Sequence, residues 1–226
     1  MFNPSLETLV ASVIVLAMFL LIAFPIHEFA HAFAAYQLGD GTARLMGRLT
    51  IDPRAHFDPT GALLLAISLL AFGGGIGWAK PTPYNPMNLR GGRWGEAIVS
   101  VAGPISNLIL AIAAAIPLRY IFATDMQVEV PLLAGVLYIF IQINLLLMVF
   151  NLIPIPPLDG SKVLYAFLDP RTSWQVRAFL EQYGLIILVG AIFLPIFGGS
   201  TLIGLIFREV FNPLMGLLVG TSVSPI

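Results

Sequence analysis

The sequence predicts an all-α polytopic membrane protein with about five spanning helices, a re-entrant hairpin segment and a short membrane-associated β-hairpin. Three observations carry this. Of the 226 residues, 58% are hydrophobic and only 10% are charged, against roughly 25% charged in soluble domains. Mean hydropathy is +0.92. Apolar runs recur at lengths that can cross a hydrocarbon layer of about 30 Å. The formal net charge of −1 leaves no electrostatic footprint for nucleic acid. Cysteine is absent, which removes both a disulfide framework and a thiolate metal site.

The first helix is expected from about Leu6 to about Leu38. No Lys or Arg precedes Arg44, so the run lacks the basic start of a signal peptide and should remain as a span. Pro25 removes one helical hydrogen bond and should kink the helix. Gly39-Asp40-Gly41 ends it. Arg44 and Arg48 then alternate with apolar residues around Gly47, which favours the β-hairpin over about Thr42 to Ile51. Asp52-Pro53 and Asp58-Pro59 are turn signals.

Between Thr60 and Arg93 the uninterrupted apolar part, about Ala62 to Phe72, is short for a span. Gly73, Gly74, Gly75 and Gly77 follow, then the polar, proline-rich stretch Lys80 to Pro86. This is the segment expected to enter the membrane and return; a full span is the alternative. Glu96–Phe122 and Pro131–Asn151 read as spans. The chain then unwinds at Pro154, Pro156 and Pro157 before a helix from Asp159 to about Leu168. Two further apolar runs, about Trp174 to Phe197 and Thr201 to Val219, complete the set. Residues 1–226 are expected to form one domain, with a catalytic core over about 6–168 and a C-terminal helical pair over about 172–220.

Apart from Arg208 inside the last run, every Lys and Arg except Arg119 falls on one side of this topology. By the positive-inside rule that side is cytoplasmic. The N-terminus is then outside, and both His31 and Asp159 approach the cytoplasmic face.

The chemistry concentrates at Pro25-Ile26-His27-Glu28-Phe29-Ala30-His31. This is H-E-x-x-H at the end of a run, Thr8 to Ile26, without a charged residue. On a helix His27 and His31 leave the same face one turn apart, a geometry that suits Zn²⁺. Glu28 sits about 100° round the helix, where its carboxylate can reach a water at the metal as general base without being a ligand. Far along the chain comes Asn151-Leu-Ile-Pro-Ile-Pro-Pro-Leu-Asp159-Gly160. Intramembrane acids are costly and usually functional, so Asp159 is a candidate third ligand; capping the helix that follows is its alternative role.

Together these stretches resemble the site-2 protease family of intramembrane zinc metalloproteases. The matching residues are His27-Glu28-Phe29-Ala30-His31, Gly103-Pro104-Ile105-Ser106-Asn107, and Asn151 to Pro154 with Leu158-Asp159-Gly160, in the family's order. The resemblance covers about Ala23 to Phe167. The insertion between Thr60 and Arg93, with His56 to Gly61 and Gly77 to Pro81, looks like a bacterial or archaeal subgroup.

The resemblance implies a single Zn²⁺ held by His27, His31 and Asp159, with Glu28 as base and proton shuttle. It implies that Asn107 contacts substrate or the developing oxyanion. His56 near the site, Asn151, and the hairpin edge near Leu49 are further candidates for substrate contact. The expected partners are a transmembrane protein or peptide substrate and the lipid bilayer, with no nucleic acid; homo-oligomerisation stays open. The implied location is a prokaryotic plasma membrane. The Arg119 to Glu129 loop is too short for a PDZ or CBS domain, so a minimal form is expected. The rival reading is an inactive relative that binds membrane helices without cutting them.

Overall fold

The computed structural model describes residues 13–56, 58, 60–61, 81–195 and 199–220. Among the described residues five helices are long and apolar enough to cross a membrane: α1 (Val13–Gln37), α4 (Arg93–Ala123), α5 (Pro131–Asn151), α7 (Pro170–Phe193) and α8 (Leu202–Val219). The short α-helices described between them are α2 (Thr42–Leu45), α3 (Pro53–His56) and α6 (Gly160–Phe167). The expected all-α polytopic class holds. Most of the Thr60 to Arg93 hairpin falls outside the described residues.

Alanine decides how the central helices pack. Ala111, Ala114 and Ala115 line one face of α4 and let α5 approach closely. Leu118 and Ile121 on the same face meet Ile141, Leu145 and Met148 of α5 and Phe211, Met215 and Val219 of α8. The opposite face of α4 carries Ile105, Ile109, Ile112 and Ile116, all exposed. In a soluble protein that row would be an aggregation surface, whereas lipid tails solvate it at no cost. The proline-broken stretch after α5 is anchored by Ile153, Ile155 and Leu158 packing on Leu188 of α7.

The irregularity expected at Pro25 takes a definite form: the five residues Phe19–Ala23 make a π-helical turn just before it. A wider turn absorbs the missing N–H without breaking the helix. The C-terminus of α1 closes on Gly39 at φ 105°. The Asp40 N–H donates to Ala35 O over 2.9 Å and the Gly39 N–H to Tyr36 O over 3.1 Å, the paired bonds of a Schellman cap.

The β-hairpin expected over Thr42 to Ile51 does not form, and the edge strand near Leu49 goes with it. Among the described residues there is no β-strand, only an isolated antiparallel bridge between Pro195 and Thr201. The reason lies in two caps that alternation disguises. Asp40 accepts from the Thr42 N–H at 3.3 Å and the Thr42 hydroxyl at 2.6 Å, which starts a helical turn. Gly47, at φ 68°, ends that turn. There the Arg48 N–H bonds Ala43 O at 2.7 Å and the Gly47 N–H bonds Arg44 O at 3.1 Å, a second Schellman cap.

Asp40 also fastens the chain that returns from the insertion. Its carboxylate accepts from the Asn85 N–H at 2.9 Å and from Asn88 Nδ2 at 3.0 Å, and the Arg90 N–H bonds Leu38 O at 2.8 Å. Residues 81–92 are thereby held along the C-terminal half of α1, with Thr82 beside Glu28. Tyr84 adds a 3.4 Å bond to Glu96, whose carboxylate pairs with Arg177 of α7 at 3.1 Å.

Candidate metal centre

The wide spacing of His27, His31 and Asp159 in the chain collapses to one point. One ligand atom from each lies within 4.8 Å of the others. His27 Nε2 is 3.3 Å and His31 Nε2 3.2 Å from Asp159 Oδ2, and the two Nε2 atoms are 3.0 Å apart. Four ligands arranged tetrahedrally at 2.0–2.1 Å from zinc stand roughly 3.3–3.4 Å from one another. The triangle therefore has nearly the size that zinc requires.

The tautomers point the same way. His27 Nδ1 donates to Asn107 Oδ1 over 2.6 Å, and His31 Nδ1 donates to Val99 O over 2.7 Å. With both Nδ1 atoms protonated, each neutral ring carries its lone pair on Nε2. Two lone pairs and a carboxylate oxygen then face one another at about 3 Å in a buried site, an arrangement that repels itself unless a cation lies among them. The donor set, two imidazoles and one carboxylate, is one that zinc takes with a fourth position open.

Each ligand is delivered by a local reason. The helical register of α1 places His27 and His31 one turn apart. Gly103 of α4 lets that face come close: a Cβ there would lie 2.6 Å from Cε1 of both histidines and would press on His31 Nε2. Asp159 stands at the N-cap position of α6, yet its side chain makes no capping hydrogen bond. Its carboxylate faces the histidines, with Lys162 Nζ 3.8 Å from Oδ1, so the capping alternative fails. Gly160 is needed beside it, since a Cβ would fall 2.6 Å from Ile153 O and against Leu152 O.

Asn107 lies behind the candidate ligands. It is fully buried. Its Nδ2 donates to Asn144 Oδ1 at 2.9 Å, and Asn144 Nδ2 in turn donates to Phe140 O at 2.9 Å. The chain Phe140–Asn144–Asn107–His27 thus runs from the α5 backbone to the Nδ1 of a candidate ligand. Asn151 is spent locally, donating from Nδ2 to Leu147 O at 3.0 Å.

His56 is not in the metal group. It is buried on the last turn of α3, donates from Nε2 to Thr50 O at 2.8 Å, and meets the Phe24 ring edge-on at 6.5 Å. Among the described residues its Nδ1 finds no hydrogen-bond partner.

Glu28 is the surprise. Its carboxylate is gripped by Thr82, through the backbone N–H at 2.8 Å and the hydroxyl at 2.6 Å, both on Oε2. Sequence reading missed Thr82, Val99 and Asp40 as parts of this site. Thr82 stands between Pro81 and Pro83, a rigid extended signature that could have drawn attention to it.

Comparison with known proteins points to a family. A model of "Peptidase family M50" matches residues 120–194. "Putative zinc metalloprotease YwhC" of Bacillus subtilis is 36% identical over 208 residues, covering 87% of this chain and 92% of that protein. Rip2 of Mycobacterium tuberculosis, which carries the same descriptive title, is 35% identical over 193 residues, covering 84% of this chain and 69% of its own. No solved structure matches significantly.

Proposed function

The chain belongs to peptidase family M50, the site-2 protease family of zinc metalloproteases, and from that premise we propose that it is an intramembrane endopeptidase cutting transmembrane segments near the cytoplasmic side. The observation that carries the reading is the convergence of His27, His31 and Asp159 beside Glu28 at the end of an apolar span. An ordinary membrane helix gains nothing from burying such a cluster.

His27, His31 and Asp159 would hold one Zn²⁺. Bound there, zinc supplies Lewis acidity, acidifying water and polarising a carbonyl. Glu28 accepts the water's proton and returns it to the leaving amine as the peptide bond breaks. Asn107 acts on His27 rather than on substrate: it fixes the tautomer that presents Nε2. The buried surroundings exclude bulk water and strengthen each of these interactions.

The protein is an integral membrane protein. The asymmetry of its basic residues supports an external N-terminus and a cytoplasmic-side site. A single domain, with α7 and α8 flanking a catalytic core that ends with α6, suits the packing of Leu158 on Leu188. Intact Glu28 favours a protease over a binding-only relative. The test is cleavage of a panel of single-span substrates by purified zinc-loaded protein beside Glu28→Gln. Cleavage by the parent alone supports the reading; no cleavage by either supports the binding-only relative.

A further inference from the structure

The clamp on Glu28 has a mechanical origin that can be traced through the chain. Pro81 and Pro83 fix φ on both sides of Thr82, and Pro83 also forces Thr82 itself into extended backbone. Asp40 then pins Asn85 and Asn88, so the strap arrives with little freedom left. Thr82 is buried, and it presents two donors to a single carboxylate oxygen. The hydroxyl proton goes to Oε2 at 2.6 Å rather than to Glu28 O at 3.0 Å, because the charged acceptor makes the shorter and stronger bond.

We propose that Thr82 is the positioning residue for the general base: it ties down Oε2 of Glu28 and so aims the other oxygen, Oε1, at the proton to be removed. This rests on Glu28 acting as base. A glutamate has three rotatable side-chain torsions, and an unrestrained one spreads its oxygens over several rotamers. Two donors on one oxygen select one of them. The residue that does so lies 54 positions away, in a strap that contributes none of the three metal-binding side chains.

Full-length protein in detergent, zinc-loaded, is assayed on a single-span substrate as the parent, Thr82→Val, Thr82→Ser and Glu28→Gln. Thr82→Val keeps the shape and the backbone donor but loses the hydroxyl. It should keep stoichiometric zinc, hold KM within roughly twofold and lower kcat roughly 10- to 100-fold, the range expected for a misaimed group. Thr82→Ser restores the hydroxyl and should recover most of kcat. A readout apart from activity uses metal-free protein: Thr82→Val should lower Tm by roughly 3 °C, and this shift should vanish in a Glu28→Ala background. Parent-like or raised kcat in Thr82→Val, no recovery in Thr82→Ser, or an undiminished Tm shift without Glu28 would each overturn the proposal. Full cleavage by Glu28→Gln would instead overturn the general-base reading beneath it.

Discussion

Asn107 Oδ1 lies 2.6 Å from His27 Nδ1, and this bond decides which nitrogen of His27 faces Asp159. Asn107→Leu should therefore weaken zinc binding roughly 10- to 100-fold, as loss of an outer partner does in metal sites. Asn107→Asp keeps the acceptor and should bind better than Asn107→Leu. Competition with a chelator of known affinity measures both. Equal zinc affinity in parent and Asn107→Leu would mean that His27 needs no such support.

Gly103→Ala should lose zinc as well. In an ordinary helix interior this change stabilises by roughly 0.5–1 kcal/mol. Here the added methyl would lie 2.6 Å from both imidazoles, and overpacking of that kind costs roughly 1–3 kcal/mol. Metal analysis of the purified variant checks it; stoichiometric zinc would show that α1 and α4 separate more easily than their packing indicates.

Asp40 should make part of the protein's stability pH-dependent. Burial alone would raise its pKa, but bonds from the Thr42 hydroxyl, the Asn88 side chain, and the Asn85 and Thr42 N–H groups hold it below the ordinary value. A depressed carboxyl contributes stability that is fully present above its unfolded value of about 3.9. That stability is lost as pH falls through the folded value. The Tm difference between the parent and Asp40→Asn should be flat from neutral pH to about pH 5 and shrink below about pH 4. A difference that persists at low pH would contradict this.

Most of this site was legible in the chain because helical spacing is a short-range rule. His27, Glu28 and His31 declare their geometry within one turn, and Asp159 follows from an acid set among prolines in an apolar run. The spans were legible for the same reason, since length and hydropathy are local. The false hairpin shows where such reading stops. Arg44 and Arg48 around Gly47 satisfy a strand's alternation, yet Asp40 with Thr42 and Gly47 with Arg48 are also helix caps. Only the backbone bonds choose between them. Thr82 was out of reach for another reason: it acquires meaning from a partner 54 residues away.

The orientation predicts a labelling pattern. The natural sequence has no cysteine, so a single introduced thiol reports without background. Thr124→Cys, in the loop after α4, should react with an impermeant reagent added outside intact cells, and Ser173→Cys, near the start of α7, should not. The reverse pattern would invert the topology and place the site toward the outer face.

Metal content measured alongside cleavage in four variants tests the assignment of this centre most directly. Zinc-loaded parent should cleave a single-span substrate. Glu28→Gln should retain stoichiometric zinc and lose at least roughly 100-fold in rate, the lower end for a general base. His27→Ala, His31→Ala and Asp159→Asn should each lose stoichiometric zinc and cleavage together. Unchanged zinc content in Asp159→Asn, or parent-like cleavage by Glu28→Gln, would contradict the assignment.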